Sequence, residues 1–210
     1  MTEIYLNGEI CDDEWGEVLT SYDYSAIYPK AVRKALDDAG GDDLLITLTS
    51  NGGSVIDGTV IKDMINAYKG NVTIRISGMS ASAGTYLAMA ADKTIITEGS
   101  ILMIHRVSSF TSGNRNDMQR SIEMLDEFDR TVAEIYASKT GKSIDEIIDL
   151  MDSEAYMSAA RAVELGFCDE IEKVGRAAKE PPAKNIVNNI DVRNKRIEIL
   201  NKRLQLLRRG

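Results

Sequence analysis

Ser82 lies in Gly78-Met79-Ser80-Ala81-Ser82-Ala83-Gly84, and the chain's single histidine, His105, follows it by 23 residues. Gly53, in Asn51-Gly52-Gly53-Ser54, precedes it by 29. A serine hydroxyl is a poor nucleophile until a base takes its proton, and His105 is the one histidine that could do so. The oxyanion that forms in acyl transfer needs preorganised N–H donors. A Gly-Gly turn lets the backbone approach a reacting carbonyl closely. The N–H of Ala83 could supply a second donor if Ser82 opens a helix, because first-turn amides lack an internal partner. Small residues around Ser82 leave room for a peptide to lie across it. Each part also has a structural reading: a serine N-cap, a plain turn, a core histidine. Their order and spacing together favour chemistry.

The segment is not Gly-x-Ser-x-Gly, since Ser80 stands two before Ser82. An α/β-hydrolase places its acid between serine and histidine. That interval holds only Asp92 and Glu98, which is cramped for such a fold. The acid of a triad is therefore expected after His105.

The elements that would position these groups alternate. Ile4 and Leu6 read as a short strand. Residues 8–24 read as irregular. A helix capped by Ser25 is expected through about Asp38, ended by Gly40-Gly41. Leu44 to Leu48 has strand propensity. After the Gly-Gly turn, Val55, Val60, Ile61, Met64 and Ile65 lie on one side of a helix. Val72, Ile74 and Ile76 form another strand, and Ser82 opens a helix of small residues to Ala91. Lys93–Thr97 and Ile101–Ile104 read as strands. A long helix from Asn116 to about Lys139 carries Met118, Ile122, Leu125, Phe128, Val132 and Ile135 on one stripe. Two short helices are expected near 143–151 and 158–165, the second capped by Ser158 and followed by Gly166. Strands alternating with helices predict an α/β fold with a largely parallel sheet.

With 210 residues the chain suits one domain, residues 1–175, and an appendage, residues 176–210. Pro181-Pro182 marks a break, and beyond it Ile190, Ile197 and Leu204 are spaced seven apart, as in a partner-packing helix. The net charge is −8, of which +6 falls on residues 184–210 and −14 on the rest. An acidic body argues against a nucleic-acid-binding domain, while the basic tail leaves nucleic-acid or membrane contact open for the tail alone. No apolar run is long enough for a membrane span, and the N-terminus does not read as a signal peptide. Cys11 and Cys168 match no metal or redox spacing and are expected as free thiols.

The combined motifs resemble the Clp protease proteolytic subunit (ClpP) family, in its phage and prophage head-maturation branch. The segments that carry the likeness are Asn51-Gly52-Gly53, Gly78 to Gly84, Met103-Ile104-His105, Glu154-Ala155-Tyr156-Met157-Ser158-Ala159 and Ala162 to Asp169, and the likeness covers residues 3 to 174. It implies a ClpP/crotonase-like spiral of strand–strand–helix units with a protruding handle helix. It implies a serine endopeptidase with Ser82 as nucleophile, His105 as base and the N–H groups of Gly53 and Ala83 as oxyanion hole. The third member is Glu154, where housekeeping relatives have aspartate, with Asp152 as the alternative. No cofactor and no metal is implied. The implied substrate is a protein or peptide, a capsid precursor among the candidates, and the implied assembly is a homo-oligomeric ring or stacked rings. The likeness starts at the first strand, so an unfoldase partner is not expected, and neither membrane nor nucleic acid is. The expected location is the bacterial host cytoplasm or a phage prohead.

Other readings stay open. A housekeeping ATP-dependent Clp subunit would share the Gly-Gly, serine and histidine motifs, with aspartate where this chain has Glu154 and proline where it has Asn51. A crotonase-like hydratase or isomerase shares the oxyanion turn but not the Ser/His pair. Ser/Lys chemistry would need a lysine near Ser82 and usually a membrane anchor. Glutamate at the acid position leaves room for a catalytically decayed capsid scaffold.

Overall fold

The structure is a computed structural model that describes residues 1–173, 175, 198, 201 and 202. The expected proline break and heptad helix lie outside the described residues. The chain begins with β1 (Thr2–Asn7), β2 (Glu9–Ile10), α1 (Asp13–Ser21), β3 (Ala26–Ile27) and α2 (Pro29–Ala39). It continues with β4 (Leu44–Ser50), α3 (Val55–Asn66), β5 (Val72–Ala81), α4 (Ala83–Ala88), β6 (Lys93–Thr97) and β7 (Ile101–Met103). Then follow α5 (Arg115–Thr140), α6 (Ile144–Asp152), β8 (Tyr156–Ser158), α7 (Ala159–Glu164) and β9 (Glu170–Glu172).

This is the mixed α/β fold that the alternation of elements predicts. The main sheet runs β1-β4-β5-β6-β9, all parallel. β5 is long enough to serve twice. Its first half, Thr73–Ile76, pairs with β6, and its end, Met79–Ala81, pairs with β7. β7 in turn takes β8 in an antiparallel ladder, the one such pairing of this sheet among the described residues. Alternation decides the faces: Leu44, Ile46, Leu48, Val72, Ile74 and Ile76 are buried in the main core with helix residues such as Ile61, Ile65 and Leu87. On the other face Arg75 is paired with Glu3 and Glu172.

Several local expectations are corrected. Residues 8–24 are not irregular: Asp12 accepts from the Trp15 N–H and caps α1, and Trp15 and Leu19 form a small second core with Cys11. Ser25 is not a cap. α2 starts at Pro29, whose fixed φ and missing N–H suit a first helical position. The helix after Ser82 stops at Ala88, short of Ala91. β8 and β9, each of three residues, are too short for a periodic signal. Ser158 does cap α7, accepting from the Arg161 N–H.

α5 fits its expected span closely and is closed by a capping box of Asn114 and Asp117 at one end and left-handed Gly141 at the other. Its second half is buried through Val132, Ala133 and Tyr136, whereas Met118 and Ile122 stay 37% and 53% exposed.

Both cysteines are buried thiols outside any disulfide. Burial pushes the Cys168 thiol up to about 12, and neighbouring Asp169 adds to the effect. About one thiol in ten thousand is then ionised at pH 8. Native protein treated with DTNB at pH 8 should leave Cys168 intact by peptide mass mapping, and denaturant should expose it. Rapid native labelling would contradict this packing.

Candidate active site

Ser82 occupies the corner between β5 and α4, with φ 55 and ψ −126. That left-handed conformation costs a non-glycine residue on the order of 1–3 kcal/mol and persists only where its surroundings fix it. Here they do. The Ser82 N–H donates to the Met103 carbonyl at 3.0 Å, and the Tyr86 N–H donates to the Ser82 carbonyl at 3.1 Å. The Thr85 hydroxyl donates to the carbonyls of Ser80 (2.7 Å) and Met103 (2.8 Å), lacing the end of β5 to β7. The Ser82 side chain does not cap the helix it precedes. Its Oγ instead lies 2.8 Å from Nε2 of His105.

β7 delivers the histidine. Its parallel ladder pairs Ala81 with Met103, so Ser82 and His105 lie just beyond the end of one ladder. On its other edge Met103 faces Tyr156, and the Ile104 N–H donates to the Ala155 carbonyl at 3.2 Å. Glu154, in the turn just before Ala155, therefore runs beside the segment that carries His105. Glu154 is exposed, with φ 48, and its carboxylate makes no hydrogen bond or ion pair among the described residues.

The alternative acid, Asp152, is engaged elsewhere. Its two oxygens take the Arg106 guanidinium at 2.7 and 3.0 Å. That pairing holds its carboxyl below the usual carboxylate range. Arg106 also donates to Asp129 of α5 at 3.2 Å, and Asp129 accepts the Val107 N–H at 2.7 Å. Arg106 and Asp129 were not singled out from sequence. The available signal was a carboxylate between Phe128 and Val132 on the apolar face of a long helix, where an unpaired charge would be costly.

The Gly-Gly turn packs onto the serine. Gly52 and Gly53 have φ 97 and 143. A Cβ on Gly52 would lie 2.7 Å from the Ser82 Cβ, and one on Gly53 would lie 2.0 Å from the Ile10 carbonyl oxygen. Flanking bonds fix the loop: the Ile10 N–H donates to Gly52 O, and the Ser54 N–H to Ile10 O. The Gly52 N–H donates to Ser50 Oγ. Among the described residues neither the Gly53 nor the Ala83 N–H has a partner, so two amides remain available beside Ser82.

Gly53, Ser82, Ala83 and His105 line one cavity of about 320 Å³, with Tyr86, Met124, Leu125, Phe128, Val132 and Tyr136. Among the described residues no Asp, Glu, Lys or Arg lines it, so it suits an apolar side chain next to a reacting carbonyl. A larger recess of about 710 Å³, lined by residues of α2 and α3, contains none of these groups. Among the described residues no three or more His, Cys, Asp or Glu are grouped as metal ligands.

Comparison with known proteins points the same way. Residues 34–174 match the Clp protease family. The chain is 32% identical over 133 residues to the ATP-dependent Clp protease proteolytic subunits of Streptococcus agalactiae serotype V and of Streptococcus gordonii, covering 61% of this chain and 68% of each relative.

A methyl group at Gly52 should displace Ser82. Gly52→Ala is expected to slow covalent labelling of Ser82 by a fluorophosphonate about a hundredfold, the scale of a 1 Å misplacement. Gly99→Ala, where a Cβ meets nothing within 4 Å, should label like the parent. Equal labelling of both variants would contradict the close approach.

Proposed function

Since the chain belongs to the Clp protease family, we propose that it is a serine endopeptidase that cleaves peptide bonds through an acyl-enzyme at Ser82. The observation that carries this reading is the 2.8 Å contact between Ser82 Oγ and His105 Nε2, beside two unclaimed backbone amides. His105 takes the hydroxyl proton as Oγ attacks the scissile carbonyl. The Gly53 and Ala83 N–H groups receive the negative charge on the carbonyl oxygen. His105 then gives the proton to the leaving amine, and water repeats the sequence on the ester. Glu154, beside the segment that carries His105, is the acid that would hold the imidazole. The apolar cavity receives a substrate side chain.

The finer reading is a capsid-maturation protease of a phage or prophage. It is supported by the motif resemblance. An ATP-dependent subunit of the housekeeping kind is the second reading, favoured by the names of the streptococcal relatives. Incubation with capsid precursor proteins, and separately with an unfolded substrate plus an ATP-driven unfoldase, separates the two. Processing of the precursor without ATP supports the first, and ATP-dependent degradation supports the second.

Assembly follows from the bare half of α5. Met118 and Ile122 are exposed apolar groups on one face of a helix whose other half is core, and such a face favours a second copy. Light scattering at micromolar concentration should give a mass several times 23.1 kDa, and a monomer would sink this expectation.

Ser82→Ala and His105→Ala should each abolish peptide hydrolysis, and the double variant should be scarcely worse than either, as for groups that act as a unit. Glu154→Ala should lower kcat on the order of a hundredfold. Asp152→Ala should lower it less than about tenfold, since Asp129 still holds Arg106. A crippled Asp152→Ala enzyme beside a healthy Glu154→Ala enzyme would move the third role to Asp152.

A further inference from the structure

We propose that Arg106 is a positioning residue: together with Asp152 and Asp129 it clamps the segment carrying His105 against the link carrying Glu154, and so sets the histidine–carboxylate pair. This rests on the reading of Ser82, His105 and Glu154 given above. The two facing segments are fixed on both sides of that pair. On one side the Ile104 N–H donates to the Ala155 carbonyl. On the other, Arg106 grips Asp152 with two nitrogens. Only Ser153 and Glu154 separate the two anchors, so the backbone of Glu154 has little freedom to leave its place beside the segment that carries His105.

A half-exposed ion pair alone would have little effect on position. Asp129 changes that. Its side chain is 7% exposed, and it is satisfied by the Val107 N–H and Arg106. Losing the guanidinium would leave a buried carboxylate short of its counter-charge, so the arrangement resists opening. Residues 104, 106 and 107 are thus tied to the β8 edge, the end of α6 and the middle of α5. His105, between them, directs its ring to Ser82. The planar fork of arginine fixes direction as well as charge, which a lysine would not do.

The single histidine makes the test direct, because 13C-labelled imidazole gives one unambiguous ring signal. In full-length Arg106→Gln that signal should split or broaden. The kcat per fluorophosphonate-titrated Ser82 should fall about tenfold, with KM within about twofold, because Arg106 is not part of the cavity wall. Arg106→Lys should fall between that variant and the parent. Adding Glu154→Gln should cost no more than Glu154→Gln alone, since Arg106 acts through the same pair. If Arg106→Gln does not fold, the exposed substitution Asp152→Asn carries the same expectations with a loss of about threefold. The clamp is overturned by an unchanged ring signal and rate. It is equally overturned by a loss that multiplies with that of Glu154→Gln, or by one that only follows the titre of reactive Ser82. Should the parent protein neither titrate nor hydrolyse peptides, the catalytic reading falls, and the ring signal alone still decides the clamp.

Discussion

One backbone hydrogen bond, from the Ser82 N–H to the Met103 carbonyl, is the constraint on which the site depends. It joins the corner after β5 to the strand that delivers His105. β5 can make it because its ten residues first serve β4 and β6 in the sheet and then run on to meet β7. The buried ladder of Val72, Ile74 and Ile76 anchors the strand. Its far end can then be held in an unfavourable conformation. The Gly-Gly turn closes against this corner because the β4–β5 register shifts between Leu48 and Ser50, and past that irregularity Ser50 pairs with Ser80. A small change of register in either ladder would separate groups that are now within hydrogen-bonding reach.

α5 contributes to this arrangement in three ways. Leu125, Phe128 and Val132 form a wall of the cavity. Asp129, on the same stretch, holds the backbone just after His105. One turn further, Tyr136 lies edge-on to Phe167 and fixes the helix in the core. Burial pushes the Tyr136 phenol well above its usual range, so it remains a donor, directed at the Ser82 carbonyl at 3.5 Å. The exposed apolar half of α5 is therefore rigidly continuous with residues that touch the site. Whatever covers Met118 and Ile122 packs on an element that also frames the cavity.

The groups of the candidate site were legible in the sequence because nucleophile, base and amide donors depend on residue type and order, both of which a linear chain displays. The long helix and the central strands were legible from their periodicity. The φ of Ser82 was not, because nothing in the identity of a serine announces a left-handed turn. α1 was missed because Gly8, Gly16 and clustered acids masked a helix whose Trp15 and Leu19 pack on a separate small core. β8 has three residues, and only its partner β7 makes it a strand. The Arg106 network joins residues 23 and 46 positions apart, a distance over which charge pattern carries no local signature. The tertiary fold, not propensity, supplied each of these.

The left-handed corner at Ser82 sets activity against durability within a single residue. Glycine would adopt that conformation without strain, and the relief would exceed the fraction of a kcal/mol to about 1 kcal/mol that glycine adds to the entropy of the unfolded chain. An inert variant with glycine at position 82 is thus the sturdier protein. Selection acting on stability alone would favour glycine over serine at this corner. A lineage in which assembly mattered and hydrolysis did not would be expected to drift to glycine there first.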